Sequence, residues 1–153
     1  MPNYRIRDCH RDDLEKINEL ERNCFPNSPA LPMVALVQYF DLFQKTFVVA
    51  EAMETVVGFA IAGTCSMNSQ SAWILDAAVR SEYRKLGIAS AMLEELVDRL
   101  KQGGVLNVKA TVSPTNAGSR RMLEKCGFQT TREIDEYFGK GESRLFLEEL
   151  ILR

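Results

Sequence analysis

The sequence of 153 residues contains none of the long apolar runs that mark membrane proteins. No apolar stretch approaches the roughly 20 residues that are needed to cross a bilayer. The N-terminal segment MPNYRIRDCHRDD also lacks the apolar core of a secretory signal. We therefore expect a cytoplasmic protein that has no membrane partner.

The sequence is also poor in residues that bind metals. Its four cysteines are far apart and form no C-x-x-C pair, and its single histidine is His10. This pattern gives no signal for a zinc site or a redox dithiol, so we expect free thiols and no metal. His10 stands at the start of the first predicted helix, where we expect a surface or capping residue.

Neither sign of charge dominates the chain. It has 19 Lys and Arg against 21 Asp and Glu, a formal net charge of −2 and no basic tail. Nucleic acid is therefore not an expected partner. The apolar content of 46% is enough to fill one core, so we expect a single domain over residues 1–153, as a monomer or a homodimer.

Hydrophobic periodicity predicts alternating strands and helices. A short strand at the N-terminus is followed by two helices on either side of a proline-rich segment, and then by three strands rich in β-branched residues. After these come a long amphipathic helix, a strand, a short helix, and two final strands around the turn GKGE. This order predicts a mixed α+β sheet with helices on both faces. The segments, in the same order, are NYRIRDC, residues 11–24, LPMVALVQYFDLF, TFVVAEA, TVVGFAIAGTC, SAWILDAAV, YRKLGIASAMLEELVDRL, VLNVKATV, SPTNAGSRRMLEKCGF, QTTREIDEYF and SRLFLEELIL.

The long helix begins unusually, with Arg84, Lys85 and Gly87 where Ser, Asp or Asn would ordinarily cap it. The first amides of a helix have no partner within the helix, and they attract negative charge. A strand, a glycine turn and a helix N-terminus together favour phosphate binding. The alternative is a simple turn at Gly87, with both cations in water. Neither a P-loop nor a dinucleotide fingerprint is present.

The segment AAVRSEYRKLGIASAML resembles the acetyl-CoA signature of the GNAT superfamily of N-acetyltransferases. Val79 matches the strand end of that signature, and Arg84, Gly87 and Ala89 match its spacing. The segment SPTNAGSRRMLEKCGF is similar to the family's second helix, which begins at an Asn and ends in Gly-Phe. The resemblance implies a twisted, mostly antiparallel sheet of six to seven strands, splayed between the fourth and fifth strands.

The resemblance also implies acetyl-CoA as the co-substrate. The backbone amides of the signature turn are expected to hold the pyrophosphate, with Arg84 and Lys85 adding charge at the rim. The backbone from Ala77 to Val79 is expected to pair with the pantetheine arm, and Asn116 to bond the pantetheine or nearby backbone. The turn residues are Leu86, Gly87, Ile88, Ala89 and Ser90.

The implied reaction is acetyl transfer to a primary amine by direct attack in a ternary complex. The sequence departs from the family at the usual acid and base, because Leu123 stands in place of a Tyr and Trp73 in place of a Glu. Asp76 and Tyr137 are the candidate replacements. The alternatives are a structural Asp76 that bonds a turn and a Tyr137 that only packs at a strand end.

The acceptor is expected to be a peptide or protein N-terminus or a small amine. Phe25 and Pro26, with a second proline at Pro29, resemble the loop of ribosomal-protein and related N-terminal acetyltransferases. That likeness is partial, because Ala30 and Leu31 stand where an aromatic residue usually follows. Tyr137 is also expected to face the acceptor. A non-catalytic acyl-CoA-binding or sensor module is the alternative function, which the missing Tyr and Glu would permit.

Overall fold

A computed structural model describes residues 3–26 and 30–151 and contains seven strands and four α-helices within those ranges. The same ranges also contain three short 3-10 turns, at Arg11–Asp13, Gln44–Thr46 and Ser81–Tyr83. The strands are β1 (Arg5–Asp8), β2 (Phe47–Ala52), β3 (Thr55–Thr64), β4 (Ser71–Val79), β5 (Asn107–Val112), β6 (Gln129–Ile134) and β7 (Arg144–Leu150). The helices are α1 (Leu14–Cys24), α2 (Met33–Leu42), α3 (Ile88–Gln102) and α4 (Ala117–Lys125).

The seven strands form one sheet in the order β1-β2-β3-β4-β5-β7-β6. All neighbouring strands are antiparallel except β4 and β5, which are parallel and pair only from Ser71 to Trp73. Beyond Trp73 the two strands part. The splayed, mostly antiparallel sheet that the family resemblance implied is therefore confirmed.

Helices cover both faces of this sheet, as the sequence predicted. On one face α3 packs through its buried apolar residues Met92, Leu93 and Leu96. On the other face α1 and α2 pack against the aromatic side chains of Phe47 and Phe59. Because β2 and β3 are buried on both sides, they appear in the sequence as nearly continuous apolar runs.

The predicted strand QTTREIDEYF is too long. In the structure β6 ends at Ile134, and the next residues turn back toward β7. Glu136, Gly139 and Gly141 adopt positive φ angles of 50°, 111° and 79°, which a strand does not tolerate. Tyr137 therefore lies on the connection between β6 and β7 and not at a strand end.

The longest described helix, α3, has 15 residues. Within residues 3–26 and 30–151, no helix combines the length and the apolar character that crossing a membrane requires.

Two glycines offer a matched test of this packing. A methyl group at Gly63 in β3 would lie 2.8 Å from the ring of Phe43, whereas one at Gly118 in α4 would meet only the Asn116 side chain at 3.9 Å. We expect Gly63→Ala to lower the free energy of unfolding by at least about 1 kcal/mol through overpacking. Gly118→Ala should raise it by about 0.5–1 kcal/mol because alanine favours the helix.

Urea unfolding followed by the fluorescence of Trp73, the only tryptophan, measures both changes. Equal effects of the two substitutions would contradict the packing of Phe43 on β3.

Candidate active site

The gap between β4 and β5 opens into a cavity of about 250 Å³. Its wall is formed by α1, β4, β5, α4 and the connection between β6 and β7. From β4 it receives Asp76 and Ala77, from α4 it receives Leu123, and Asn116 reaches it from the N-cap of α4. Phe25, which follows α1, and Phe138, on the β6–β7 connection, also line it.

The gap exposes one edge of β4. Arg80 donates its N–H to the carbonyl of Val57 on β3 at 2.8 Å. Because the N–H and C=O groups of successive strand residues point to opposite sides, those of Ala77 and Val79 point away from β3 and toward the gap. These are the backbone groups for which the sequence predicted a ligand.

Side chains of the protein itself engage part of this edge. The Asp76 carboxylate accepts the Ala77 N–H at 2.9 Å, and the Arg84 Nε donates to the Val79 carbonyl at 3.0 Å. Cys24 also donates its thiol to the Val79 carbonyl at 3.6 Å. The bond from Arg84 was not foreseen, since the sequence suggested only a charge at the phosphate rim.

A left-handed glycine opens α3. Gly87 has a φ of 82°, and no side chain caps the helix that follows it. A Cβ atom at Gly87 would meet nothing within 4 Å, so the space in front of the first helical amides is open. Lys85 is also left-handed, with a φ of 62°. These features fit a bound anion, because free amides and an open approach are what a phosphate requires.

Asn116 caps α4 at the edge of the cleft. Its Oδ1 accepts the Ser119 N–H at 3.1 Å, and its side chain lines the cavity. Leu123, further along α4, is buried at the cavity wall. A hydrocarbon side chain there cannot donate a proton.

The two aromatic positions near the gap have structural partners. Trp73 packs edge-on against Phe146, with ring centroids 5.6 Å apart. Tyr137 packs in the same manner against Phe146 at 4.8 Å and remains 40% exposed. Phe138, and not Tyr137, is among the residues that line the cavity. The Tyr137 hydroxyl forms no hydrogen bond with the part of the chain that is described.

The connection after α1 contributes less than its sequence suggested. Phe25 lines the cavity, whereas Pro26 is exposed and does not. Pro29 lies outside the described residues.

A second carboxyl group lies beside Asp76, and sequence reasoning missed it. Glu21 on α1 is only 3% exposed and lines the same cavity. Burial, together with the neighbouring Glu21 carboxyl, raises the pKa of Asp76 well above its usual range. Glu21 stands four residues after Ile17 and seven after Leu14, both fully buried, so helical periodicity could have placed it on the apolar face of α1.

Metal-binding side chains are not gathered anywhere in residues 3–26 and 30–151: no group of three or more His, Cys, Asp or Glu is arranged to hold an ion. All four cysteines are free thiols. His10 is exposed and donates its backbone N–H to Asp13 at 2.7 Å.

Solved structures share this architecture over nearly the whole chain. Ard1 from Thermoplasma volcanium superimposes with a TM-score of 0.89 at 20% identity, covering 98% of this chain and 99% of that one. A Salmonella typhimurium protein solved with its cofactor acetyl-CoA gives a TM-score of 0.83 at 17% identity, covering 98% and 95%. At this level of identity the likeness concerns the fold.

Sequence comparison identifies the family. The profile of the acetyltransferase (GNAT) family matches residues 14–128, which include the splayed strands, the glycine turn and α4. This chain therefore belongs to the GNAT family and is an N-acetyltransferase.

Three relatives cover different shares of the chain. An uncharacterized N-acetyltransferase of Methanocaldococcus jannaschii is 27% identical over 93% of this chain and 88% of its own. An N-alpha-acetyltransferase of Sulfurisphaera tokodaii is 25% identical over 91% and 88%. The L-2,4-diaminobutyric acid acetyltransferase of Halalkalibacterium halodurans is 32% identical over 65% and 54%.

Proposed function

We propose that this protein transfers the acetyl group of acetyl-CoA to a primary amine by direct attack in a ternary complex. The observation that carries the proposal is the parting of β4 from β5, with the uncapped N-terminus of α3 following the same strand. An exposed strand edge and free helical amides suit a long ligand that has an amide-bearing arm and a pyrophosphate.

In this proposal acetyl-CoA is held mainly by backbone groups. The amides of Leu86, Gly87, Ile88, Ala89 and Ser90 bind its pyrophosphate. The edge of β4 from Ala77 to Val79 pairs with its pantetheine arm, beside Asn116. Arg84 and Lys85 are both exposed and supply positive charge near the turn. When bound, acetyl-CoA supplies a thioester carbon that an amine can attack.

The reaction places three demands on the protein. An ammonium must lose a proton, the negative oxygen formed on the thioester carbon must be stabilised, and the leaving sulfur must receive a proton. A backbone N–H at the β4 edge near Val79 is the donor proposed for the oxygen. The carboxyl group of Asp76 is proposed to take part in removing the ammonium proton, and orientation in the cleft supplies a large part of the rate.

The acceptor is a peptide N-terminus or a small free amine. The N-alpha-acetyltransferase relative supports the first, and the diaminobutyric acid acetyltransferase relative supports the second. A panel of peptides with different N-terminal residues and of diamines, assayed for CoA thiol release, separates the two. We expect one class to be acetylated well above the rate of acetyl-CoA hydrolysis.

The runner-up function, a non-catalytic acyl-CoA sensor, is supported by the buried Leu123 at the usual position of the acid. It predicts tight CoA binding in calorimetry without transfer to any member of the panel. Transfer to a single acceptor would exclude it.

Gly87 provides the test of the cofactor site. We expect Gly87→Glu to abolish measurable CoA binding, because the new carboxylate would occupy the anion position and repel the phosphates. Isothermal titration calorimetry measures the affinity.

Gly141→Glu is the matched control, since Gly141 has a φ of 79° and also has open space at its Cβ position. Both substitutions should cost about 1–2 kcal/mol of stability through left-handed strain. Only the first should affect CoA. Wild-type affinity in Gly87→Glu would refute the phosphate assignment.

Tyr137 remains a candidate for proton donation to the leaving sulfur and for contact with the acceptor. If it donates, Tyr137→Phe should lower kcat by about 100-fold or more while leaving CoA affinity unchanged. The substitution keeps the ring that packs on Phe146. An unchanged kcat would leave Tyr137 with its packing role alone.

A further inference from the structure

We propose that Glu21 and Asp76 act as one proton-sharing carboxyl pair that binds the acceptor's ammonium group in the cleft and removes its proton. This inference rests on the proposed function and assigns a role to Glu21 in it.

The two carboxyl groups extend from different elements of the cavity wall. Glu21 extends from α1, and its Oε1 accepts the Leu31 N–H at 3.2 Å. Asp76 extends from β4, and its Oδ1 accepts the Ala77 N–H at 2.9 Å. Each group therefore has one oxygen that is fixed by a backbone amide.

The second oxygen of each group is unsatisfied. Glu21 Oε2 and Asp76 Oδ2 are both buried and have no hydrogen-bond partner in the described part of the chain. Two ionised carboxylates can only accept hydrogen bonds, so they bond to each other only when one of them carries a proton. Since burial and Glu21 both raise the pKa of Asp76, that proton belongs on Asp76. The pair then carries one negative charge in all.

The β4 bulge explains why Asp76 faces this position. Asp76 pairs with Ile61 on β3 and Ile74 pairs with Ala62, so Leu75 has no partner in the ladder. The extra residue lies just beyond Trp73, where β5 leaves the strand. A bulge reverses the side-chain alternation that follows it, and bulges commonly redirect a side chain beside an active site.

The other charged group at the cavity is already paired. Arg144 on β7 donates to Glu142 at 2.9 Å, so Glu142 largely balances its positive charge and leaves little of it to act on the carboxyl pair. The remaining wall is uncharged. From β5 it includes Ala110, Thr111 and Val112, and from α4 and its N-cap it includes Asn116, Ser119, Met122 and Leu123.

A single negative charge in an otherwise neutral cavity is suited to one cation. A primary ammonium can occupy that position and offer N–H donors to the negatively charged carboxyl pair. A buried charge without a counter-charge is costly, so a cation that pairs with it gains energy that the free protein lacks. The pair thus selects an amine in its charged form.

The acceptor nitrogen loses two protons in the proposed reaction. The pair, which holds one proton, takes a second from the ammonium nitrogen and becomes neutral. The neutral amine attacks the thioester carbon, and the new N–C bond replaces the C–S bond. The remaining surplus proton on nitrogen passes to the sulfur, giving the amide and the CoA thiol. The pair returns its extra proton to water.

The kinetic test uses Glu21→Gln, Asp76→Asn and the double variant, with Glu15→Gln as control. Glu15 lies on the exposed face of the same helix. We expect each single substitution to lower kcat by about 100-fold or more. The double variant should lose no more than the worse single variant, because the two groups act as a unit. Glu15→Gln should behave like the wild type, and CoA affinity should be unchanged throughout.

The stability of the free protein gives a readout that does not depend on turnover. Because the folded state holds the Asp76 proton to higher pH than the unfolded chain does, the free energy of unfolding should fall as pH rises above about 4. Asp76→Asn should weaken this dependence and raise the melting temperature near neutral pH. A variant that is more stable and less active is the signature of a costly catalytic pair.

Different outcomes overturn different claims. If the wild type acetylates an amine and Glu21→Gln retains its kcat, the pair has no role in the chemistry, and the proposed function still stands. If Glu21→Gln changes only the melting temperature and CoA affinity, Glu21 is structural. If the wild type acetylates nothing in the panel, the proposed function fails and the inference fails with it.

Discussion

The parting of β4 from β5 is the constraint on which the rest of the structure depends. Two parallel strands in the middle of a sheet normally pair along their length, and here they pair over three residues only. Every backbone N–H and C=O beyond Trp73 on that side of β4 needs another partner, because buried polar groups are costly when they have none. The protein meets this need in part with its own side chains, and in our proposal acetyl-CoA meets the remainder.

The same gap determines where charge can be buried. The carboxylate of Asp76 is stabilised by the Ala77 N–H, and the carbonyl of Val79 is stabilised by Arg84. Around these groups apolar residues such as Ile74, Leu93 and Leu123 form part of the wall, so the local dielectric is lower than that of water and each interaction is stronger than it would be in water. Burial in this environment raises the pKa of Asp76. It also makes the lack of hydrogen-bond partners at Glu21 Oε2 and Asp76 Oδ2 energetically costly.

Sequence patterns predicted the fold and the uncapped start of α3 well because both depend on local features. The order of strands and helices follows from periodicity, and the spacing of Val79, Arg84, Gly87 and Ala89 follows the family signature. The open turn at Gly87 is a property of a few consecutive residues. The end of β6 was predicted incorrectly because positive φ angles at Glu136 and two glycines override the strand pattern.

What the sequence determined by itself is the family and the helix that begins without a cap, since the motifs for both consist of residues near one another in the chain. The splayed sheet followed from the family resemblance. Only the tertiary structure decided which side chains face the cleft. Glu21 and Asp76 are 55 residues apart, and they meet because α1 packs over the end of β4 where the sheet opens. Tyr137 and Phe138 are adjacent, yet the turn between β6 and β7 directs Phe138 into the cavity and Tyr137 onto Phe146. Such contacts depend on how elements that are distant in the chain pack together, and a pattern of neighbouring residues does not predict this packing.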